Sequence, residues 1–401
     1  MFEATYVTIP PIMRIAITHT RFSYTGGIEK YIYSLVERLL AADHEVHYLA
    51  ARWEPLDHPR LHFHAVPWIR FPHSLRVSSF DRGVRRILAR ERFDLVHGFT
   101  KTSVQDVYTD GSGTWSEYLA ATRPDEPRWK DWLYRHSPHQ RAILHMEQAR
   151  FRRGAILKII PMAEFVREQI LREYAVEPGR VETLYNGVEI ERFHPRLRAT
   201  EGARFRRDHG IPAEARVLLF VGNDFRRKGL ETALRSLRSV AERVPTVRLA
   251  VAGHDNHPER YRALAETLGV GSRVDWLGSV REVPHAFAAS DIFVFPTRYD
   301  VFGNVGLEAL STGVPAVLSA RAGVAELLLP RNARGHERAG WRLEDPSDAD
   351  ELTRATLTLL TDDSEGRAHH ARALAEHYSW DRHFERLLEI YREVIAEKRG
   401  R

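Results

Sequence analysis

Short apolar runs alternate with amphipathic helical segments along most of this chain. The first apolar run covers residues 14–18, and the segment 28–41 that follows it repeats apolar side chains on one helical face. Strands that alternate with helices are joined by crossover connections, so they lie parallel and need helices on both faces of the sheet. The alternation therefore predicts an α/β fold with doubly wound parallel sheets.

The alternation falls into two consecutive units, which predicts two domains with a cleft between them. A length of 401 residues is enough for two hydrophobic cores. Asn186 and Gly187 form a turn signal between the units, so we place the domains at residues 1–185 and 186–379. The predicted strands are at 14–18, 46–50, 95–97, 104–109 and 156–160 in the first unit, and at 217–221, 247–251, 274–277, 292–295 and 316–319 in the second.

The composition excludes several functional classes. The chain has no cysteine, which excludes disulfide frameworks and thiolate metal sites. Its net charge of +5 is a small imbalance, and stripes of one sign interleaved with base-stacking aromatics are missing, so no nucleic-acid partner is predicted. No apolar run is long enough to span a bilayer and the start of the chain does not look like a signal peptide. We therefore expect a cytoplasmic protein.

Two carboxylates flank a predicted junction between a loop and a helix. Asp300 follows the strand 292–295, and Glu308 lies one turn inside the helix 304–312, so both should face one crevice. The free backbone N–H groups at the start of such a helix bind anions, and carboxylates accept hydrogen bonds from vicinal hydroxyls. The junction therefore predicts a sugar-nucleotide site. Its proposed binding residues are Gly303, Asn304, Val305 and Glu308, and Asp300 is proposed as a catalytic residue that acts on the sugar.

Three consecutive cations follow the strand that opens the second unit. Crowding Arg226, Arg227 and Lys228 into one turn is costly unless an anion neutralises them. A guanidinium and an ammonium together match a diphosphate whose negative charge grows as a sugar leaves. The alternative is a solvated basic turn. We assign Arg227 and Lys228 as the diphosphate pair, with Gly222 opening the turn and Arg226 pointing outward.

A pair of glycines, Gly26 and Gly27, lies between the first strand and its helix. Glycines let the backbone approach a ligand closely, and the N–H groups of a helix start are electropositive. The pair is therefore a second candidate contact for the donor, with a merely flexible loop as the alternative. The spacing is not that of a dinucleotide fingerprint.

The segment 299–308 resembles the E-x7-E signature of the retaining family 4 glycosyltransferases, with Asp300 in place of the first glutamate and Gly313-Val314-Pro315 following. The turn at 224–229 carries an acid, an aromatic residue and Arg-Lys-Gly, as in the subgroup of lipopolysaccharide core glucosyltransferases. The resemblance covers nearly the whole chain and is strongest over 217–328. It implies the GT-B fold, two Rossmann-like domains facing across a cleft, with a closing helix at 380–401 that crosses back onto the first domain.

The resemblance also implies an activity. It is the transfer of a hexose from a nucleotide sugar, such as UDP-glucose, to a hydroxyl group with retention of configuration. Asp110 would hold the donor sugar or take the acceptor proton, although a turn-forming aspartate before Gly111 is an equal alternative. Val280 and Arg281 correspond to contacts with the nucleobase. No metal or other cofactor is expected, because the cations and the helix start would stabilise the diphosphate.

The sequence carries fewer signals for the acceptor than for the donor. Residues 115–153 mix tryptophan and tyrosine with arginine and lysine, a composition that suits both sugars and membrane interfaces. A helical insertion with its own small core is the alternative. The first interpretation implies a glycan or glycolipid acceptor such as lipopolysaccharide core, with peripheral contact at the cytoplasmic face of the inner membrane.

Two other functional classes remain open at this stage. A sugar-nucleotide 2-epimerase has a similar architecture but needs no acceptor. An inactive scaffold that only binds nucleotide sugars is the other alternative, although the retained Asp300, Glu308, Arg227 and Lys228 argue against it.

Overall fold

The computed structural model describes residues 12–24, 26–69, 71, 74–123, 127–151, 156–329, 336–361 and 364–401. Over these residues the fold is α/β and contains two six-stranded sheets whose paired strands are all parallel. The predicted fold class is thus confirmed.

The first sheet has the strand order β5-β3-β1-β6-β7-β8, and a small separate sheet pairs β2 with β4. Its strands are β1 (Arg14–Thr18), β2 (Arg21–Phe22), β3 (Glu45–Ala50), β4 (Arg52–Trp53), β5 (Leu61–Ala65), β6 (Leu95–Gly98), β7 (Val107–Asp110) and β8 (Lys158–Pro161). The helices of this unit are α1 (Gly27–Ala41), α2 (Ser74–Leu88), α3 (Trp115–Thr122), α4 (Arg128–Arg135), α5 (Pro138–Arg150) and α6 (Glu164–Glu173).

The second sheet has the order β11-β10-β9-β12-β13-β14. Its strands are β9 (Arg216–Val221), β10 (Val247–Ala252), β11 (Val274–Gly278), β12 (Ile292–Phe295), β13 (Ala316–Ser319) and β14 (Gly340–Leu343). The later helices are α7 (Ala203–Asp208), α8 (Phe225–Lys228), α9 (Leu230–Arg243), α10 (Pro258–Thr267), α11 (Val283–Ala288), α12 (Asn304–Ser311), α13 (Ala349–Thr361), α14 (Ser364–Glu376) and α15 (Trp380–Gly400).

The predicted strands all form. The structure differs from the prediction at the ends of strands and at the edges of the sheets. The strand β7 begins at Val107, three residues after the predicted start, and Val104 is instead exposed. Two sheet-edge strands, β5 and β14, were not predicted. An edge strand is covered less completely than a central one, so its sequence can carry polar side chains, such as the two histidines of β5, that hide the apolar signal.

The last helix, α15, packs against the first sheet although it follows the second in sequence. The Tyr391 hydroxyl is hydrogen-bonded to Nδ1 of His97 in β6, and Nε2 of His383 lies 2.7 Å from the Tyr31 hydroxyl of α1. Lys398 Nζ lies 2.7 Å from a carboxylate oxygen of Asp106. The domain boundaries at 185/186 and 379/380 stay predictions.

The two units contact each other directly beside the cleft. Glu326, which is buried in the second unit, accepts hydrogen bonds of 2.8 Å from the backbone N–H groups of Glu164 and Phe165 at the start of α6. At the boundary between the units, Asn186 donates a 2.8 Å hydrogen bond to the Asn304 side chain at the start of α12. These bonds fix the first unit against the loop that carries the predicted donor residues.

Candidate active site

A cavity of about 190 Å³ lies between the two units. The first unit contributes Gly27 and Gly111, and the second contributes Lys228, Asp300 and Gly303. These residues follow β1 and β7 in one sheet and β9 and β12 in the other, the ends of parallel strands at which open sheets bind ligands. We call this space the central cavity.

Lys228 and Asp300 form an ion pair at the edge of the central cavity. Lys228 is 8% exposed, its Nζ contacts Asp300 Oδ2, and it also lies 4.7 Å from the centre of the Phe295 ring. Burial lowers the pKa of Lys228, although the negative charge of Asp300 opposes that shift. Burial alone would raise the pKa of Asp300, but the charge and hydrogen bond of Lys228 outweigh it and leave that pKa lowered. The alternative interpretation, a solvated basic turn, therefore does not hold for Lys228.

Arg227 is oriented by the loop that precedes α12. Its Nη1 donates a 3.1 Å hydrogen bond to the carbonyl of Tyr299 and lies 3.9 Å from Asp300 Oδ2. Its Nε donates to Asp224, whose side chain also accepts from the Arg227 backbone N–H at 3.2 Å. Asp224 has a φ of 63°, a left-handed conformation that is unfavourable for a residue with a side chain. The turn therefore holds both predicted diphosphate cations beside Asp300.

Gly222 acts on this turn by leaving space. A Cβ atom at Gly222 would lie 2.9 Å from Cγ of Lys228, so a larger residue would displace the buried lysine stem. Gly222 is not among the described residues that line the central cavity. Its predicted contact with the donor stays a prediction.

The start of α12 faces the central cavity, as predicted from the sequence. Gly303 caps the helix with a φ of 85°, and a Cβ there would also lie 2.9 Å from the Phe295 ring, so only glycine fits without strain. Gly303, Asn304 and Val305 all line the central cavity. The helix ends at Ser311, one residue before the predicted end.

Glu308 opens into a neighbouring space rather than into the central cavity. This smaller cavity, of about 90 Å³, is lined by Glu308 and Arg281 and is called the rim cavity here. Tyr31 and Asn304 line both cavities, so the two are contiguous. The prediction that Asp300 and Glu308 face one crevice is therefore correct only for the cleft as a whole.

Two nearby cations compensate the negative charge of the Glu308 carboxylate only in part. Burial raises the pKa of the Glu308 carboxyl, against the opposing positive charges of Lys30 and Arg192, which line the same rim cavity. A carboxylate in this setting gains from hydroxyl groups that donate hydrogen bonds to it. Arg281 lines the same rim cavity, whereas Val280 packs against the hydrophobic core and is not among the described lining residues, and the predicted contacts of both with the nucleobase stay predictions.

The glycine pair at the start of α1 has divided roles. Gly26 caps the helix with a φ of 108°, and a Cβ there would collide with the Glu29 carboxylate. A Cβ at Gly27 would meet open space, and Gly27 lines the central cavity. Gly27 is thus the member of the pair that lies next to the space for a donor.

Asp110 is fully buried at the end of β7. Its Oδ1 accepts hydrogen bonds from the N–H groups of Ser112 and Gly113 at 3.1 and 3.0 Å, the geometry of a turn-forming aspartate. Its Oδ2 has no hydrogen-bond partner in the described part of the chain. Gly111 lines the central cavity but Asp110 is not among its described lining residues, so the catalytic role of Asp110 stays a prediction.

Several residues of the cleft were not predicted from the sequence, among them Lys30, Tyr31, Asn186 and Arg192. Lys30 and Tyr31 lie one turn inside α1, directly after the glycine pair, and that position was the available signal. Asn186 had been used only as a turn marker, and Arg192 follows it in the same segment. Their approach to the cavities depends on how the two units contact each other, which a local pattern does not encode.

A histidine cluster outside the cleft was also missed. His47 and His62 lie beside Glu45, and His64 lies beside Glu91, with the possible ligand atoms of each group within 4.8 Å of one another. The cluster spans β3 and β5, so its members are brought together by strand pairing rather than by sequence spacing. Arg14 donates a 3.0 Å hydrogen bond to His47 and thus adds a positive charge to the cluster. It is an ion-pair network towards the amino ends of β1 and β3, away from the central cavity.

Family models match both units of the chain. The model "Glycosyltransferase Family 4" matches residues 25–192, and the model "Glycosyl transferases group 1" matches residues 202–376. The fold and the cleft define the protein as a glycosyltransferase of the GT-B architecture. The chain is a glycosyltransferase that carries a family 4 domain in its first unit and a group 1 domain in its second.

Several known proteins are similar over most of the chain. The lipopolysaccharide glucosyltransferase WaaG of Escherichia coli is 26% identical over 350 residues, which cover 87% of this chain and 90% of that protein. The crystal structure of WaaG superposes with a TM-score of 0.79 at 25% identity, over 94% of this chain and 99% of that one. A D-inositol 3-phosphate glycosyltransferase of Corynebacterium efficiens is 32% identical over 57% of this chain and 54% of its own length. The Anabaena protein HepE, solved with UDP-glucose, shares the fold with a TM-score of 0.70 at 15% identity, over 95% of this chain and 100% of that one.

Proposed function

We propose that the protein transfers a hexose from a UDP-sugar, such as UDP-glucose, to a hydroxyl group with retention of anomeric configuration. The acceptor is a glycan or glycolipid such as lipopolysaccharide core, in line with the similarity to the lipopolysaccharide glucosyltransferase WaaG. The observation that carries this proposal is the buried Lys228–Asp300 pair, which lies in the same cavity as the start of α12. An ammonium and free helical N–H groups that converge on one space suit a diphosphate leaving group.

The donor is proposed to lie along the two contiguous cavities. The diphosphate occupies the central cavity between Lys228 and Arg227 on one side and residues 303–305 on the other. The ribose hydroxyls donate hydrogen bonds to Glu308 in the rim cavity, and the base lies near Arg281. The hexose then lies between Asp300 and Gly27, next to the first unit.

The chemistry follows from this placement. Negative charge builds on the bridging oxygen as the bond between the sugar and the diphosphate breaks, and Lys228 meets that charge in a partly dehydrated site. Because this ammonium is already paired with Asp300, it is held in place before the donor arrives. No metal ion or other cofactor is required by this arrangement. Asp110 is proposed to hold the donor sugar or to take the acceptor proton through its unpartnered Oδ2.

The acceptor is proposed to reach the protein at a membrane surface. In α4, Trp129, Trp132 and Leu133 are 63%, 59% and 55% exposed, and no residue of this helix is buried. An exposed helix with tryptophans and cations suits the headgroup layer of a bilayer, whereas a helical insertion with its own core would bury part of α4. Among the described residues, no helix is both long and apolar enough to cross a membrane. We therefore propose a cytoplasmic protein with peripheral contact at the inner membrane.

A panel of UDP- and GDP-sugars tests the proposed function and separates it from its alternatives. The purified protein is incubated with each donor, with and without glycan acceptors, and the free nucleotide diphosphate and the donor sugar are both measured. Release of UDP from a UDP-sugar supports the transferase. An isomerised donor sugar would instead identify a 2-epimerase, and binding without any turnover would identify a scaffold.

A further inference from the structure

A third cavity opens beside the central cavity, within the first unit. Its volume is about 360 Å³, within the range of small-molecule sites. Ile28 and Gly111 line both this cavity and the central one, so a molecule held here would extend to the proposed position of the donor hexose. We call it the first-unit pocket. It lies at the carboxyl ends of β1, β6 and β7.

The charged side chains that line the first-unit pocket are all cationic among the described residues. They are Arg76 and Lys101, and no carboxylate lines it. The other polar side chains can donate hydrogen bonds, and the remaining walls include the faces of Trp68, Phe80 and Phe99. The polar residues are His19, Thr20, Thr100, Tyr108, Ser112 and His139.

Lys101 is the central feature of this pocket because its ammonium lacks a hydrogen bond. Its Nζ is buried without a hydrogen-bond partner in the described part of the chain, and the nearest carboxylate oxygen, of Glu147, is 3.8 Å away. Burial lowers the pKa of Lys101 to about 8, against the attraction of Glu147. A buried ammonium without direct acceptors is costly, and the cost is recovered when a ligand supplies anionic oxygens.

Glu147 pairs with Lys101 by charge but does not hydrogen-bond to it, because its Oε2, which has no hydrogen-bond partner among the described residues, lies 3.8 Å from the ammonium. It accepts a 3.0 Å hydrogen bond from the backbone N–H of Trp115 and another from the Tyr174 hydroxyl. It also lies 3.7 Å from the buried guanidinium of Arg150. One carboxylate is thus shared between two cations, and the Lys101 ammonium, which also lies 4.1 Å from the centre of the Trp115 ring, has no hydrogen-bond acceptor in the described part of the chain.

Arg76 supplies a second cation on an exposed side chain. Its guanidinium lies 4.2 Å from the centre of the Trp68 ring, a contact that orients it at the pocket. We propose that the first-unit pocket binds a phosphate monoester carried by the acceptor, with Lys101 and Arg76 as its charged contacts and the aromatic walls against the sugar. The assignment of this phosphate to an acceptor rests on the proposed function.

Binding of glucose 6-phosphate to the UDP-saturated protein tests this proposal, because UDP fills the donor site first. We expect glucose 6-phosphate to bind at least about tenfold more tightly than glucose by calorimetry, since a charged hydrogen bond contributes roughly 1.5 to 3 kcal/mol. Lys101→Met and Arg76→Met should each remove most of this difference. Lys101→Arg should restore part of it, and Lys398→Met, on the far end of α15, should leave it unchanged.

Four outcomes separate this proposal from the proposed function and identify the source of the phosphate. Equal binding of glucose and glucose 6-phosphate to the wild type would overturn the phosphate site, as would a preference that survives both methionine variants. A failure of UDP itself to bind would instead contradict the proposed function. Vesicles of phosphatidylcholine with phosphatidic acid present the same phosphate group on a lipid. If the protein binds these vesicles through Lys101, and if glucose 6-phosphate abolishes this binding, the phosphate is carried by a lipid.

Discussion

In the proposed function, the turn around Lys228 holds a positive charge in position for the leaving group. Its stem fits against Gly222, its ammonium contacts Asp300, and a phenyl ring covers one side. Burial reduces competition from water, while the carboxylate keeps the lysine charged. The result is a positive charge that needs little rearrangement when a diphosphate arrives.

Replacing Lys228 should mainly affect turnover. Because its charge opposes one that develops in the transition state, Lys228→Ala should lower kcat by about ten- to a hundredfold with a smaller change in KM. Steady-state kinetics with a UDP-sugar measure this. The neighbouring Arg226→Ala is the control and should change kcat little. Wild-type kinetics in Lys228→Ala would remove this turn from the reaction.

Glu308 should act on the nucleotide alone. Glu308→Gln keeps the size of the side chain but turns one accepting oxygen into a donor, so UDP should bind more weakly by roughly 1 to 3 kcal/mol in calorimetry. Since the pKa of Glu308 is raised, the carboxylate is lost on acidification earlier than an ordinary glutamate. Wild-type UDP affinity should therefore fall as the pH is lowered through that range, and the variant should not show this step. Equal UDP affinity in both proteins would exclude Glu308 as the ribose ligand.

Individual residues could be predicted where a strand end supplied a local signal. Lys228, Gly303 and Asn304 follow strands whose positions were visible in the sequence, and the structure brings them around one cavity, with Arg227 beside Asp300 but not among the described lining residues. Lys101 follows β6 in the same way but was overlooked, because no second signal marked its loop. Its burial beside Glu147 depends on α5, which lies far along the chain.

At the scale of elements, central strands were predictable and edge strands were not. A central strand such as β12 is apolar throughout, because helices cover both of its faces. The edge strand β5 alternates leucine and phenylalanine with histidines and resembles a loop in sequence. The cap of α12 was also predictable, since glycine before a helix and close to a carboxylate is a local pattern.

The Gly303 cap should be intolerant of a side chain. Gly303→Ala places a Cβ in the left-handed region and 2.9 Å from the Phe295 ring, so we expect a loss of about 1 to 3 kcal/mol in the free energy of unfolding. Urea denaturation measures this loss, and UDP affinity should fall with it because α12 starts at the donor site. The matched control is Gly27→Ala, where a Cβ meets open space and the stability should change little. Equal stability of the two variants would contradict the strained cap.

At the scale of the whole molecule, the fold and the presence of a cleft followed from alternation, but the arrangement of cavities within the cleft did not. The sequence predicted two units because each has its own series of strands and helices. How the units meet depends on bonds between distant residues, such as Glu326 with the start of α6, and on the boundary residue Asn186, which bonds to Asn304. Neither pair has a signature in the local sequence. The division into a central and a rim cavity, with Tyr31 and Asn304 shared, follows from those contacts.

Catalysis should not depend on a divalent cation. Lys228, Arg227 and the start of α12 already place positive charge and N–H donors around the proposed diphosphate, so a metal ion would be redundant there. Turnover of a UDP-sugar should be largely unchanged after dialysis against excess EDTA. A metal-dependent hexosyltransferase assayed in parallel is the control for effective chelation. Loss of activity that added Mg²⁺ or Mn²⁺ restores would contradict this assignment of the diphosphate ligands.

The anomeric configuration of the released sugar tests the central claim most directly. With UDP-α-glucose as donor and water as the only acceptor, proton NMR during the first minutes, before the sugar mutarotates, shows which anomer forms together with UDP. If the protein is a retaining glycosyltransferase that uses this cleft, α-glucose should appear first and Lys228→Ala should slow its appearance. β-Glucose as the first product would contradict the account, because it would show that the donor is attacked with inversion.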